Sequence, residues 1–170
     1  MQRVRIAAYD DRWPGLFQRE AARLQALLGG GALSIEHVGS TSVPGLAAKP
    51  VIDILLVVPD SARESEYVPA LEAGGYHVRV REPDWHEHRL LKGPDTGVNL
   101  HVFSEGCPEI GRMLGFRDWL RGNADDRSRY ERVKRELAER EWASVDDYAD
   151  AKAPLVKEIL AKAGGELPTA

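Results

Sequence analysis

One charged residue interrupts the most apolar strand of the chain. Residues 51–58 read VIDILLVV, and Asp53 is the only polar side chain among them. An unbroken succession of Val, Ile and Leu is typical of a central strand that is buried on both faces. An ionised carboxylate in such a strand is costly unless it is paired, hydrogen-bonded or bound to a cation. We therefore expect Asp53 to lie at an opening in the fold, or to be neutralised by a partner such as Lys49.

The segment before this strand has the composition of an anion-binding loop. A short apolar strand at 35–38 leads into the sequence GSTSVPG, and a lysine, Lys49, follows shortly afterwards. The glycines and hydroxyl residues of the loop are Gly39, Ser40, Thr41, Ser42 and Gly45. Glycines permit close backbone approach, and successive N–H groups can form a nest for phosphate. The loop therefore indicates a nucleotide phosphate site, and a tight turn that caps a following helix is the structural alternative.

The spacing in this loop differs from that of a Walker phosphate loop. A Walker loop has four residues between its two glycines and a lysine directly after the second glycine. Here five residues separate Gly39 from Gly45, and Lys49 lies further along. The pattern excludes a Walker site. The loop and the strand together are consistent with a bound nucleotide. Its phosphates would lie on the loop, and Asp53 would hold its divalent cation.

The run HVGSTSVPGLAAKPVIDILLVV at 37–58 resembles the signature of the GrpB family, which belongs to the polymerase-β-like nucleotidyltransferase fold superfamily. In that superfamily a Gly-Ser pair opens a helix after the first strand, and an Asp-x-Asp pair on the next strand holds metal ions. Gly39 and Ser40 match the first motif, and Asp53 matches the first acid. The second acid is replaced by Leu55. Because residues two apart on a strand project to the same side, an ordinary two-metal site cannot be assumed.

The resemblance implies metal-dependent transfer of a nucleotidyl group from a nucleoside triphosphate to a small acceptor. Mg²⁺ and a small-molecule nucleotide would be the ligands, with the loop on the phosphates and Asp53 on the metal. The alternative is an accessory or nucleotide-binding module without turnover, because a GrpB-like domain is fused to dephospho-coenzyme A kinase in some bacteria. Pyrophosphate release in an acceptor screen would separate the two hypotheses.

A second candidate for catalysis is His101, in the predicted strand VNLHVF at 98–103. The residues that share its face of an extended strand are Asn99, His101 and Phe103. The GrpB family carries a similar LHV element, and the wider superfamily places a third acid on a later strand. A neutral imidazole can ligate a metal or act as a general base toward a hydroxyl or amine. The alternative is a core histidine with ordinary hydrogen-bond partners.

Several basic residues and histidines are weaker candidates. Arg89 begins the strand that pairs with His101, and its guanidinium suits bidentate contact with phosphate. His86 and His88 would point to one side of an extended chain, but His-x-His spacing alone is a weak indication of metal binding. We expect these two histidines to be solvated.

The resemblance continues in the helical part of the chain, at FRDWLR (116–121) and at DAKAPLVKEI from Asp150. It implies anion binding by Arg117 and Lys152. Basic residues on amphipathic helices usually lie on a solvated face, which is the alternative for both. The aromatic residues nearby are more typical of packing.

Composition limits the class of protein and its partners. The chain has 170 residues, of which 43% are hydrophobic and 29% charged, as in an ordinary globular protein. Its net charge of −4 argues against a nucleic-acid polymer as partner. Cys107 is the single cysteine. With neither an apolar signal segment nor a membrane-length apolar run, we expect a cytoplasmic protein without membrane attachment.

The hydrophobic pattern predicts an α+β fold, a mixed β-sheet covered by helices, with a helical C-terminal portion from about residue 109. The resemblance to the GrpB family implies that this sheet is of nucleotidyltransferase type. Strands are predicted at 35–38, 51–58, 76–80, 88–91 and 98–103, the last two as a hairpin. Helices are predicted at 13–28, 60–73, 109–120, 127–140 and 145–162. Pro154 is expected to break or kink the last helix. We expect a single domain over 1–170 in which 164–170 form a mobile tail.

Overall fold

The computed structural model describes residues 3–95 and 97–163. Its helices and strands, in chain order, are α1 (Trp13–Leu28), β1 (Ser34–Val38), β2 (Ile52–Val58), α2 (Val68–Ala73), β3 (His77–Glu82), β4 (His88–Lys92), β5 (Val98–Ser104), α3 (Pro108–Gly122), α4 (Ala124–Ala138) and α5 (Val145–Lys162). The predicted tail at 164–170 lies outside the described residues.

Five strands form one mixed sheet in the order β1-β2-β5-β4-β3. Strands β2 and β5 are parallel, and the other neighbouring pairs are antiparallel. The predicted hairpin is present as β4 and β5. The apolar strand β2 is therefore internal, as its composition predicts, and the α+β class is confirmed.

One face of the sheet, here called the α1 face, holds the larger apolar core. The strands contribute Ile54, Leu56 and Leu100, which are fully buried. They pack in one cluster with Phe17 and Leu24 of α1. Burial of each such side chain stabilises the fold by about 1.5–3 kcal/mol, so this cluster anchors α1 to the sheet.

The opposite face, here called the cavity face, carries both apolar and polar side chains. Val38, Leu55, Val57 and Phe103 form a buried cluster that packs against α3. Toward one end of the same face, the strands place Asp53 beside Asn99 and Leu55 beside His101. The two candidate residues thus project from neighbouring parallel strands on one side of the sheet.

The three C-terminal helices enclose the loop that follows β1. Val43 and Leu46 of the loop are fully buried. They share a cluster with Leu120 of α3, Tyr130 of α4 and Ile159 of α5. The helical portion therefore holds the loop against the sheet and forms a wall of the space beside Asp53.

Two prolines fall within predicted helices, and only the first of them sets a helix boundary. The helix predicted at 60–73 begins only at Val68, where Pro69 occupies the first turn, because a proline there loses no helical hydrogen bond. A 3-10 turn at Glu64–Glu66 replaces its predicted first half. The expected break at Pro154 is wrong, since α5 continues through it from Val145 to Lys162.

N-terminal caps fix where the last two helices begin. Ser144 Oγ accepts the N–H of Asp147 at 3.2 Å and so caps α5. Asn123 caps α4 in the same way through the N–H of Asp126, at 3.1 Å, so α4 begins three residues before its predicted start. No helix in the described part of the chain combines the length and apolar character needed to span a bilayer.

Candidate functional site

A cavity of about 180 Å³ opens between the loop after β1, the cavity face and the helices α4 and α5. Its polar and charged lining includes Ser40, Lys49, Asp53, Asn99, Lys134 and Lys152. The structure thus brings Ser40 and Asp53 to a shared opening, the relation on which the sequence-based hypothesis depends. Lys49 and Lys152, also proposed from sequence, line the same space.

The loop hydroxyls differ in what they can contact. Thr41 is 1% exposed, and its Oγ1 donates to the carbonyl of Val51 at 2.9 Å. Ser42 Oγ donates to the carbonyl of Gly39. Both hydroxyl protons therefore stabilise the loop itself. Ser40 is half-buried and lines the cavity, so it is the serine placed to meet a ligand.

His37 packs against this loop and stabilises it. The sequence did not indicate it as a candidate site residue. Its ring stacks on Phe17 with centroids 4.9 Å apart. Its Nε2 lies 3.0 Å from Thr41 Oγ1, and the Thr41 proton is already donated to Val51, so His37 Nε2 is the donor. Burial lowers the pKa of His37 to about 4, with smaller contributions from Arg121 and Arg117. The imidazole is therefore neutral at pH 7.

Asp53 and His101 are in direct contact on the cavity face. His101 Nε2 lies 3.2 Å from Asp53 Oδ1, and the Asp53 side chain is 28% exposed. The parallel register of β2 and β5 produces this contact, because His101 is opposite Leu55, two residues from Asp53. The carboxylate is thus held by one neighbour and still faces the cavity.

The helices α4 and α5 contribute matched pairs of tyrosine and lysine. Tyr130 and Lys134 are four residues apart on α4, and Tyr148 and Lys152 repeat this spacing on α5. In each pair the lysine Nζ lies 4.8 Å from the ring centroid, within the range of cation–π attraction. The rings restrict both lysines to positions on the cavity wall.

Lys134 is the least exposed charged residue of the cavity. It is 2% exposed, and its Nζ donates to the carbonyl of Ala47 at 2.7 Å. Burial lowers its pKa to about 7, and the nearby charge of Lys152 contributes to this shift. Burial likewise lowers the pKa of Lys152. An anion in the cavity would stabilise the charged forms of both lysines.

The balance of charge favours an anionic ligand. Among the described residues that line the cavity, three lysines (Lys49, Lys134 and Lys152) accompany one carboxylate, Asp53. Sequence reasoning missed Lys134, because a lysine in a helix with many charges is typical of a solvated face. The repeated Tyr-x-x-x-Lys spacing is the signal that could have indicated it.

Two predicted phosphate-binding residues lie elsewhere. Arg89 is on the α1 face, where its guanidinium forms ion pairs with Glu64 at 2.8 Å and Glu87 at 3.2 Å. Arg117 forms an ion pair with Glu36 at 2.8 Å and donates to the carbonyl of His37 at 3.1 Å. Both guanidiniums have carboxylate partners in the fold, so the structure does not bring them to the cavity.

His88 has a different environment from the solvated one expected. It is 5% exposed; its Nε2 lies 3.2 Å from His101 Nδ1 and its Nδ1 lies 2.8 Å from Glu82 Oε1. His86 lies on the turn before β4, with a φ of 55°. The sequence did not predict the contact with Glu82, because that residue ends the preceding strand, β3.

The residues present fit a cation only in part. In residues 3–95 and 97–163, no group of three or more His, Cys, Asp or Glu side chains is arranged to hold a metal. Leu55 is fully buried in the apolar cluster, so a two-metal site is not formed. Mg²⁺ is commonly bound by one or two carboxylates together with substrate phosphates. Asp53 fits that arrangement, whereas the nitrogens of His101 face Asp53 and His88.

Comparison with known proteins identifies relatives across almost the whole chain. The family model described as GrpB protein matches residues 3–162. A UPF0157 protein of Halalkalibacterium halodurans is 63% identical over 160 residues, which are 94% of this chain and 82% of that protein. A dephospho-CoA kinase of Mycolicibacterium paratuberculosis is 34% identical over 187 residues, and the match covers 94% of this chain but 46% of that kinase.

Solved structures also include a GrpB protein that is similar to this chain. The crystal structure of conserved protein GrpB from Enterococcus faecalis has a TM-score of 0.83 at 34% identity, over 94% of this chain and 96% of that one. Cid1 in complex with its short product ApU has a TM-score of 0.52 at 16% identity, over 80% of this chain and 43% of Cid1. The likeness to Cid1 concerns the fold alone. The chain belongs to the GrpB family, on a fold related to that of nucleotidyltransferases.

Proposed function

We propose that this protein binds a nucleoside triphosphate in the cavity and transfers its nucleotidyl group to a small acceptor. The observation that carries the proposal is the placement of Ser40 and Asp53 on one cavity with Lys49, Lys134 and Lys152. Three lysines beside one carboxylate favour an anionic ligand, and a nucleoside triphosphate that carries Mg²⁺ is an anion of this kind. The relation of the fold to nucleotidyltransferases supports the choice of reaction.

The lysines would bind the phosphates. Lys134 and Lys152 are restricted by their tyrosines, so little side-chain freedom is lost when an anion arrives. Hydrogen bonds to charged groups contribute about 1.5–3 kcal/mol each. Lys49 is exposed at the cavity entrance and would meet the outermost phosphate.

Asp53 and His101 would act where the bond is made and broken. Asp53 would hold Mg²⁺, whose chemistry would be to neutralise the charge that develops on the leaving pyrophosphate. His101 would accept the proton of the acceptor hydroxyl or amine as it attacks phosphorus. The two side chains lie 3.2 Å apart, which supports a shared role at the reacting group.

The acceptor is proposed to be small. The cavity of about 180 Å³ is bounded on one side by α4 and α5, which limits the space beside the phosphates. The net charge of −4 disfavours a polyanionic acceptor such as a nucleic acid. A metabolite that carries a hydroxyl or an amine meets both conditions.

A second candidate is a nucleotide-binding accessory module without turnover. Leu55 favours it, because apolar packing occupies the position where the superfamily pattern has a second acid. The match to less than half of a dephospho-CoA kinase is consistent with a supporting domain attached to an enzyme. Such a module would keep the phosphate contacts of the lysines and lack release of pyrophosphate.

Measurement of pyrophosphate release separates the two. The wild-type chain is incubated with ATP, GTP, CTP or UTP, Mg²⁺ and a set of small hydroxyl and amine acceptors. Nucleotidyl transfer predicts release by the wild type, at least about 100-fold less release by Asp53→Asn, and wild-type release by Asp60→Asn. Asp60 follows β2 outside the cavity and is 46% exposed, which makes it a matched control. Nucleotide binding without release in any combination would favour the accessory module.

A further inference from the structure

Three polar side chains form a row across neighbouring strands at the cavity. In the register of the sheet, Asn99 of β5 lies between Asp53 of β2 and Lys92 of β4. Side chains of directly paired residues project to the same face, so all three belong to the cavity face. Asp53 and Asn99 line the cavity, whereas Lys92 is not one of its lining residues.

Asparagine is an unusual residue for this position in an internal strand. Asn is depleted in strands, where β-branched and aromatic residues predominate. Its neighbours in β5, Val98 and Leu100, are buried in the core of the α1 face. Asn99 is half-buried and borders the cavity instead. It is therefore a second polar side chain, beside Asp53, that an internal strand presents to the cavity.

The contact with Lys92 fixes the orientation of the Asn99 amide. Lys92 Nζ donates to Asn99 Oδ1. An ammonium group has donors and no acceptor, so the amide oxygen must face Lys92. The Nδ2 group is then directed away from Lys92, to the side of Asp53 and the cavity. In the part of the chain that the structure describes, the contact with Lys92 is the one hydrogen bond of the Asn99 side chain, so Nδ2 can donate to a ligand.

The ammonium of Lys92 also strengthens the Asn99 amide as a donor. Consecutive hydrogen bonds polarise one another, and a charge at Oδ1 makes the Nδ2 protons more positive. Burial and the charge of Lys49 lower the pKa of Lys92, and the charge of Asp53 opposes this shift, so Lys92 interacts with the charges of the cavity. Lys92 thus acts on the cavity through Asn99, although it does not line the cavity itself.

We propose that Asn99 Nδ2 donates a hydrogen bond to a phosphate oxygen of the bound nucleotide, and that Lys92 orients and polarises the Asn99 amide for this contact. The inference rests on the proposed function, to which it adds one ligand-binding residue, Asn99, and one positioning residue, Lys92.

A phosphate is the part of the nucleotide that this position suits. Neighbouring strands are about 4.8 Å apart, so Asn99 lies one strand spacing from the carboxylate proposed to hold Mg²⁺. The substrate oxygens that bind such a cation belong to phosphates. A neutral amide can donate to one of these oxygens without the positive charge by which a lysine would repel the cation. Asn99 therefore complements the three lysines of the cavity at the point nearest the metal.

Isothermal titration calorimetry with inorganic tripolyphosphate and with the four nucleoside triphosphates, each with Mg²⁺, tests the proposal. The full-length wild type, Asn99→Ala, Lys92→Met and the double variant are compared. Asn99→Ala should weaken binding of tripolyphosphate and nucleotide at least about 10-fold, because one hydrogen bond to a charged group is lost. Lys92→Met should weaken it about threefold or more. Because Lys92 acts through Asn99, the double variant should bind like Asn99→Ala, within about twofold.

A measurement on the wild type does not depend on the folding of any variant. The chain has two asparagines, Asn99 and Asn123, so its asparagine side-chain amides give two pairs of ¹⁵N–¹H signals. Addition of tripolyphosphate with Mg²⁺ should shift the Asn99 signals. The Asn123 signals are the matched control and should stay unchanged, because that side chain caps α4 outside the cavity.

Each result that would overturn the proposal is distinct. Wild-type affinity of Asn99→Ala for tripolyphosphate, or unshifted Asn99 signals on binding, would exclude the phosphate contact. A double variant in which the two single losses multiply in full would exclude the positioning role of Lys92. Binding of tripolyphosphate that depends on Asn99, without binding of any nucleoside triphosphate, would contradict the proposed function and uphold the phosphate contact. Binding of neither ligand by the wild type would contradict both.

Discussion

Gly39 and Asp53 approach each other so closely that a side chain at residue 39 has no room. A Cβ atom on Gly39 would lie 2.5 Å from Asp53 Oδ2 and 3.0 Å from Asp53 Cβ. The φ of 73° at Gly39, with a ψ of −178°, is a conformation that is essentially restricted to glycine. The backbone of the loop after β1 therefore forms one side of the space around the Asp53 carboxylate, and His101 forms another.

Gly39→Ala should destabilise the protein and displace the Asp53 carboxylate. The backbone conformation alone costs about 1–3 kcal/mol for a residue with a side chain, and the clash with Asp53 adds to it. We expect a lower free energy of unfolding in urea and weaker nucleotide binding. Wild-type stability and affinity in the Gly39→Ala variant would contradict the close approach.

Gly111→Ala is the matched control for that experiment. Gly111 lies in α3, and a Cβ built on it meets no atom within 4 Å. Alanine is favoured over glycine in a helix by about 0.5–1 kcal/mol. The same chemical change should therefore stabilise the protein slightly at residue 111 and destabilise it at residue 39.

The pattern of apolar residues was sufficient to predict the sheet and to indicate Asp53 as a candidate site residue, because both depend on local composition. The run IDILLVV indicated that β2 is an internal strand and made Asp53 the exception in it. The alternation in β5 placed Asn99 and His101 on one face, and the parallel register brought that face to Asp53. The contact of His88 with His101 depends instead on the strained turn after β3, for which the sequence carries no periodic signal.

Lys134 should make the stability of the protein depend on pH above neutrality. Its pKa is lowered to about 7 in the fold by burial, compared with about 10.4 in an unfolded chain. Between these values the unfolded chain binds more protons, so the free energy of unfolding should rise with pH. Urea unfolding at pH 7, 8 and 9 should give this rise in the wild type and in Lys157→Met, which alters an exposed lysine of α5. Lys134→Met should have a flatter profile, and an identical slope would contradict the buried ammonium.

His37 should determine part of the acid sensitivity. Its pKa is about 4 in the fold and about 6.5 in the unfolded chain, so protonation favours unfolding as the pH falls through this range. We expect the free energy of unfolding to decrease between pH 6.5 and 4, and to decrease less in His37→Gln. His77→Gln, which alters an exposed histidine on β3, should retain the wild-type dependence. Equal acid sensitivity of the two variants would exclude His37 as a cause.

Leu55 stands where the Asp-x-Asp pattern of the nucleotidyltransferase fold has its second acid. It is fully buried and packs in the cluster of Val38, Val57 and Phe103. Leu55→Ala should cost about 2–5 kcal/mol in urea unfolding, as is usual for a large buried side chain. Leu55→Asp should cost more, because it adds an unpaired buried charge. A stable Leu55→Asp variant that gained affinity for Mg²⁺ would contradict our interpretation of this position as part of the core.

The lysines that α4 and α5 contribute to the cavity were the part of the site that the sequence predicted least well. Lys152 was proposed through the family resemblance, and Lys134 was not, although both follow a tyrosine at the same spacing. Charge on an amphipathic helix does not by itself reveal which lysines face a cavity, because that depends on how α4 and α5 pack. Arg89 and Arg117 illustrate the converse, since each forms an ion pair with a carboxylate from a distant part of the chain, Glu64 and Glu36 respectively.

Isothermal titration calorimetry at one ionic strength tests the central claim most directly. ATP, GTP, CTP and UTP, each with Mg²⁺, are titrated into the wild type, Lys152→Met and Lys157→Met. Both lysines lie on α5, but only Lys152 lines the cavity. Loss of one charge-assisted contact of about 1.5–3 kcal/mol should weaken binding at least about 10-fold in Lys152→Met. Lys157→Met should bind as the wild type does. Absence of binding by the wild type to any of the four nucleoside triphosphates, or equal affinity of the two variants, would contradict the assignment of this cavity as a nucleotide site.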